Sequence, residues 1–396
     1  MIKLKRNTIF QIVGGAVLML SLSLNYIFYK ADIEYWLEYR RICQIESTPS
    51  PILNSIEVFH DELIQGALTY FRNETRLELP GYEDLSFWER FKKSQSRKEL
   101  TVMSLYYTDN DSFLFLELLN DAINRNDKEQ VEYLKNYFDS HVLNLPFNYT
   151  AQAMQANISI KLYQYSKEEK YKIHAGQIYR WLLQQETEFG ILYIKGMRSS
   201  LVDVLGVIIP FLVEYSNIFN CPKAKEIALK QIEIYTKYGC DKETGMPAFA
   251  YSIKTPHIKV GLMNWGRGIS WYVIGLSCIN LNDLSFECQE TIRRMNDTLS
   301  EIWNKEHQFG HFVYDHDGWE RDLTAELPII WYLNKNGYIK LSNSDILQYS
   351  QYMHDGIIYN CSNGNSGAIR YGVNHGPMML GQAFALRLTN KQINGN

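Results

Sequence analysis

The chain has 396 residues, 46% of them hydrophobic and 21% charged, with a formal net charge of −4. Charges of both signs run along its whole length, so the basic footprint of a nucleic-acid binder is absent and no nucleic acid is expected as a partner. Six cysteines without a C-x-x-C give neither a zinc-ribbon spacing nor a redox motif, and no metal or other cofactor is expected.

Residues Thr8 to Tyr29 carry no charged side chain, and Ile9 to Phe28 form an apolar run long enough to cross a bilayer, which takes about 20 residues. Lys3, Lys5 and Arg6 precede the run, while Lys30 is followed by Asp32 and Glu34, so the positive-inside tendency keeps the N-terminus cytoplasmic. A cleaved signal peptide fits less well, because the run ends in the bulky Leu24-Asn25-Tyr26-Ile27-Phe28-Tyr29 with no small-residue cleavage site. We expect a cytoplasmic stub and transmembrane signal anchor at 1–30, and an extracytoplasmic domain at 31–396 on a single-pass protein of a bacterial cell membrane. In such a domain Cys221 could pair with Cys240, although buried thiols suit the scattered pattern better.

Past the anchor, apolar residues recur at helical spacing over 31–45, 56–73, 112–125, 128–141, 149–165, 168–187, 200–217, 222–238, 267–280, 286–304, 322–336, 344–354 and 377–389. Strand-like alternation is scarce. About a dozen helices in hairpin succession predict an all-α fold of two concentric rings, an (α/α)6 toroid. The long connections 239–266, 306–321 and 355–376 should gather at one end, where loops on a rigid scaffold build binding sites.

The densest chemistry lies in Asn264-Trp265-Gly266-Arg267-Gly268-Ile269-Ser270-Trp271, preceded in the chain by the segment Asp203 to Leu212. Together they offer a carboxyl, a guanidinium and two indoles. Arg can bind a carboxylate through two parallel hydrogen bonds, Trp faces can stack on a sugar ring, and Asp can move a proton, a set that suits an acidic sugar.

These segments, with Leu162-Tyr163-x-Tyr165-x5-Tyr171, Asp203-x-Leu205-x4-Pro210-Phe211-Leu212, Asp241-x-x-Thr244-Gly245-Met246 and Glu320-x-x-x-Thr324-Ala325 in order, resemble the unsaturated glucuronyl and rhamnogalacturonyl hydrolases of glycoside hydrolase families 88 and 105. The resemblance implies an (α/α)6 barrel and an enzyme that removes a 4,5-unsaturated uronic acid from the non-reducing end of an oligosaccharide. In such enzymes an aspartic acid protonates C4 of the vinyl ether, water adds at C5 and the hemiketal falls apart. The two-carboxylate spacing of ordinary glycosidases therefore does not apply. Asp203 would be that donor, working from a desolvated site beside the apolar run Val204 to Leu212. Arg267 would hold the uronate carboxylate, and Trp265 and Trp271 would form walls. The pattern departs in two places. Asn148 stands where the family carries an Asp, and Phe249 stands where a His follows the Thr-Gly turn, with His257 nearby as a substitute. Asn148 and His257 complete the expected substrate-binding set.

Plainer readings exist for the same residues. Ser200-x-x-Asp203 is a capping-box-like helix start, Arg267 could pair with an acidic neighbour, and both Trp residues could be core. The segment His311 to Asp322 has metal-ligand residue types without a ligand spacing and reads as a wet loop, while His174 reads as a packing residue. A non-catalytic saccharide-binding or assembly protein of a polysaccharide (capsule) system, and an epimerase or lyase on the same toroid, stand as alternatives to the hydrolase.

Overall fold

A computed structural model of the chain describes residues 47–72, 109–147, 150–193, 196–261, 265–313, 321–363 and 376–394, with a few further positions. The anchor expected at residues 8–29 lies outside them apart from Gly15, Leu18, Met19 and Ser21. No helix among the described residues is long and apolar enough to cross a membrane.

Twelve helices follow one another from residue 56 among the described residues. They are α1 (Ile56–Arg72), α2 (Asp109–Asn124), α3 (Lys128–His141), α4 (Ala153–Ser166), α5 (Glu169–Leu183) and α6 (Asp203–Phe219) in the first half. The second half holds α7 (Pro222–Gly239), α8 (Gly266–Leu276), α9 (Phe286–Glu306), α10 (Leu323–Lys335), α11 (Asn343–Leu347) and α12 (Gly376–Asn394).

The even-numbered helices form a closed inner ring in which α2 touches α4, α4 touches α6, and so on to α12, which returns to α2. The odd-numbered helices lie outside. Their sequences show why: α9 buries Ile292, Met295, Leu299 and Trp303 on one stripe and leaves the other face to charges, whereas α8 is buried at every residue but Arg267. The core is therefore one continuous layer between the rings, with a second patch along the axis. There Phe113 of α2 meets Trp271 of α8, from the opposite side of the ring, at 5.8 Å, and Phe384 of α12 lies 6.3 Å from Phe113.

Inner helices run parallel, because their contacts advance in step. A Cβ added to Gly268 would lie 3.3 Å from Val202, one on Gly206 would lie 2.5 Å from the Trp271 indole, and one on Gly275 would lie 3.4 Å from Ile209. Only a residue without a side chain lets α6 and α8 close to this distance at Gly206. On the next pair, Ser270 Oγ donates to the Ala325 carbonyl at 2.8 Å. All inner helices thus begin at one end. The connections leading into them are the long ones, and those leaving them are mostly short turns such as 125–127, 167–168 and 220–221.

The expected gathering of the long loops at one end is what the topology produces. All nine short strands among the described residues lie in these loops: β1 (Glu186–Thr187) pairs with β2 (Gly190–Ile191), and β3 (Ser199–Leu201), β4 (Ala250–Ser252) and β5 (Lys259–Val260) form an antiparallel sheet. This sheet corrects one expected boundary, because residues 199–201 pair with β4 and the helix predicted from 200 starts at Asp203. The helix predicted over 344–354 also stops early, at Leu347, and continues as a 3-10 turn over Gln348–Tyr352 before a strand at Met353–His354.

The ring is closed by groups far apart in sequence. On α1, His60 is buried, with Nε2 2.9 Å from Asp121 Oδ1 of α2 and Nδ1 2.6 Å from Thr389 Oγ1 of α12. Gln382 of α12 donates to the carbonyls of Leu63 and Gly356 and accepts from Ile358 N. Inside the wall, His174 packs on Phe138 and Phe147, with Nδ1 2.7 Å from Ser159 Oγ, and burial pushes its pKa down to about 4. It is a packing residue, as its sequence setting suggested. Cys221 and Cys240 are free thiols at opposite ends of α7. At 1.5 Å per residue they are ~28 Å apart, far beyond disulfide reach. Burial pushes the Cys240 thiol up to about 12.

Candidate active site at the loop end

The residues singled out in the sequence start from neighbouring helix ends. β3 delivers the chain into α6, with Val202 as its N-cap and Asp203 as its first residue, half-buried. Ser200 stays within β3, opposite Tyr251, so it is not the cap of this helix and the capping-box reading fails. The seven apolar residues among 204–212 that flank Asp203 on α6 are all buried. Beside it, Arg267 sits in the first turn of α8, whose contact with α6 begins at Val202 and Gly268. Trp271 lies one turn deeper on the same helix, 2% exposed, and packs on Phe113.

The Asp241 motif is a turn that sets the wall. Its Oδ2 accepts from the N–H groups of Thr244 at 2.7 Å and Glu243 at 3.0 Å and from Thr244 Oγ1 at 2.8 Å. Those bonds, that of the Thr244 N–H foremost, hold its carboxyl below the usual carboxylate range. Gly245 follows at φ +75, a conformation that favours glycine. The chain then runs antiparallel to itself through Cys240 and Pro247 and reaches Phe249, whose carbonyl accepts from Val202 N at 3.0 Å. Phe249 is therefore held one residue away from Asp203. Its ring, half-buried, meets the Trp265 indole edge-on at 5.3 Å and 70°.

Trp265 is the N-cap residue of α8 and is 2% exposed. Its backbone is bridged to Phe312, and Gly266 N donates to the His311 carbonyl at 2.8 Å. The Arg267 guanidinium lies over its ring, 5.0 Å from the centroid. Among the described residues no carboxylate pairs with Arg267, and its Nε is buried without a hydrogen-bond partner, as are Nε1 of Trp265 and of Trp271. The acidic neighbour considered for Arg267 is not found among the described residues. The positive ends of the parallel helices α6, α8 and α10 add to a field that favours anions at this end.

His257 stands apart from this group. Its ring packs obliquely on Tyr238 at 4.3 Å and Phe189 at 4.9 Å, with Nδ1 3.0 Å from the Ser252 carbonyl, and these contacts place it on the outer side of the β4–β5 hairpin. Asn148 lies outside the described residues.

The loop read as wet is packed at both ends. His311 is 6% exposed and Asp322 1%, with Nδ1 of the first 3.9 Å from Oδ2 of the second, while residues 314–320 lie outside the described residues. Asp322 caps α10 through Thr324 N at 3.0 Å. A group missed in the sequence holds the loop down: Glu326, fully buried, accepts from Phe309 N and Arg321 Nε, each at 2.9 Å, and from the Tyr349 hydroxyl. Although burial works to lower it, the Glu326 carboxylate holds Arg321 well above its ordinary pKa. Glu326 has no sequence signal beyond lying in the first turn of an apolar helix.

A family model described as Glycosyl Hydrolase Family 88 matches residues 112–313, from α2 through the loop that carries His311. No curated protein matches the chain. Several solved structures share the fold. A possible GH105 member from Salmonella enterica serovar Paratyphi A aligns with TM-score 0.65 at 14% identity, covering 86% of this chain and 96% of that one. A possible GH105 member from Klebsiella pneumoniae gives 0.65 at 12% identity, with coverages of 86% and 95%. An unsaturated glucuronyl hydrolase from Bacillus sp. GL1, responsible for glycosaminoglycan degradation, gives 0.60 at 13% identity, with coverages of 86% and 96%.

Proposed function

Because the chain belongs to glycosyl hydrolase family 88, we propose that it is a glycosidase acting on an acidic oligosaccharide that ends in a 4,5-unsaturated uronic acid. The observation that carries this reading is the Arg267 guanidinium, half-buried over Trp265 with no carboxylate partner among the described residues. A partly desolvated cation without a partner is costly, and a ligand carboxylate would satisfy it through two parallel charge-assisted hydrogen bonds. An unsaturated uronate brings that carboxylate on C5, next to the double bond, so anchoring it at Arg267 sets the reacting carbons beside the neighbouring helix start at Asp203.

Asp203 acts as the acid. Its proton adds to C4, the C4=C5 π electrons form the new C–H bond, and the ring oxygen stabilises the positive charge left on C5. A water oxygen then bonds to C5 and gives its proton back to the Asp203 carboxylate. The resulting hemiketal opens, and the next sugar leaves. The buried apolar flank of α6 packs beside the donor and keeps bulk water from that side of the site. Trp271 and Phe113, both buried, pack against each other beneath the site and hold α8 in place. Residues 8–29 tether the domain to the outer face of the membrane in this reading.

The test is the loss of ultraviolet absorbance from the C4=C5 uronate, using the purified chain and lyase-generated unsaturated disaccharides. Decay in the wild type that vanishes in Asp203→Asn, with binding retained, is the expected result. A folded wild type that binds the sugars and never consumes them sinks the hydrolase reading and favours a saccharide-binding protein.

A further inference from the structure

We infer that Trp265 is a positioning residue for Arg267, braced by Phe249, and that the half-exposed Phe249 ring supplies the aromatic wall beside Asp203. This rests on the reading of Arg267 as the partner of the ligand's carboxylate. Trp265 is 2% exposed and has almost no surface to offer a sugar. Its ring is already engaged, with the guanidinium 5.0 Å above it and the Phe249 edge 5.3 Å away.

The packing leaves the indole no room to turn. A Cβ on Gly268 would fall 2.6 Å from Trp265 Cε3, and the Trp265 backbone is pinned by its bridge to Phe312. The stack also decides which nitrogens of Arg267 a ligand meets. Nε is buried and unpartnered, so the guanidinium can be approached only from its two terminal amino groups, and a carboxylate is taken end-on. Leaving Nε and the Trp265 Nε1 buried and unpaired is a cost that the cation–π contact and the fixed orientation offset. Phe249 contributes twice. Its carbonyl is bonded to Val202 N, next to Asp203, and its ring backs the indole, so the acid and the cation are set by one aromatic step.

The experiment measures binding of an unsaturated uronate disaccharide and of its neutral methyl ester by calorimetry, on the full chain carrying Asp203→Asn so that neither is consumed. The parent should prefer the free acid. Trp265→Leu should lower that preference about tenfold while ester binding changes little, Trp265→Phe should restore most of it, and Phe249→Leu should weaken both ligands and lower the preference. An unchanged acid-to-ester ratio in Trp265→Leu, or an equal loss for both ligands, overturns the inference while leaving the role of Arg267 standing. A parent with no preference removes the reading of Arg267 and this inference with it. Should Trp265→Leu fail to fold, Phe249→Leu decides alone, and an unchanged ratio there overturns the brace.

Discussion

Where the inner helices end, His60 has both ring nitrogens engaged by Asp121 and Thr389, and Asp121 also accepts from Arg125 Nε at 3.1 Å. Where they begin, the indole nitrogens of Trp265 and Trp271 and Nε of Arg267 are buried with nothing to bond. The two ends are built from similar helices with similar apolar packing, so the difference lies in their polar groups. The cluster around His60 is completed by the chain itself. The cluster around Arg267 is left incomplete at a cation and two indoles, which is the pattern expected where a ligand supplies the missing partners.

The comparison can be broken by substitution at either end. At the open end, Asp203→Asn should lower turnover by about 10³-fold with little change in thermal stability, read from single-turnover absorbance decay beside a melting curve. A large fall in melting temperature would mean that Asp203 serves the fold. At the closed end the effects should reverse. His60→Ala should cost about 3 kcal/mol of stability, measured by denaturant unfolding, because it leaves a buried carboxylate and a buried hydroxyl short of a partner. Binding of the sugar should be unchanged in that variant under conditions where it is folded.

Between the two ends, His174 provides a pH-dependent test. Its folded pKa of about 4 lies below the ordinary value of 6.5, so over that window the unfolded chain binds the extra proton and stability falls as the pH drops. The loss between pH 7 and pH 5 should be about 2 kcal/mol, and His174→Gln should remove this part of the pH dependence. The smallest effect is expected on the outer surface. Lys230 pairs with Glu186 at 2.7 Å, and Lys230→Ala should change stability by less than about 0.5 kcal/mol, because exposed pairs of this kind contribute little. A larger change would show that the outer ring depends on its charges.

Much of the closed architecture was legible in the sequence because it rests on periodicity. Stripes such as Ile292, Met295, Leu299 and Trp303 define an outer helix without help from the rest of the chain. The alternation of short and long connections then points to rings. What was not legible depends on neighbours distant in sequence. Nothing local marks residues 199–201 as a strand, since their partner Ala250–Ser252 lies beyond both α6 and α7 in the chain. The loop from His311 to Asp322 looks solvated by composition, yet His311 and Asp322 are buried against helix starts. In the site, Asp203 and Arg267 could be picked out by residue type. The distinct settings of Trp265 and Trp271 could not, because both are indoles within one heptad, and only the positions of Phe249, Gly268 and Phe113 tell them apart.

The join between α1 and α12 has a bearing on how the chain reaches its fold. Thr389 meets His60 across 329 residues and Gln382 meets Leu63 across 319, so the ring cannot close until nearly the whole chain has been synthesised. Until then α2 and α10 each lack the neighbour that α12 provides, and the apolar faces they bury against it, around Phe113 and Trp331, stay open to solvent. An intermediate of this kind is slow to mature and prone to associate through those faces. Loss of the last helix would therefore act as a defect of biogenesis and trap the chain as an open arc.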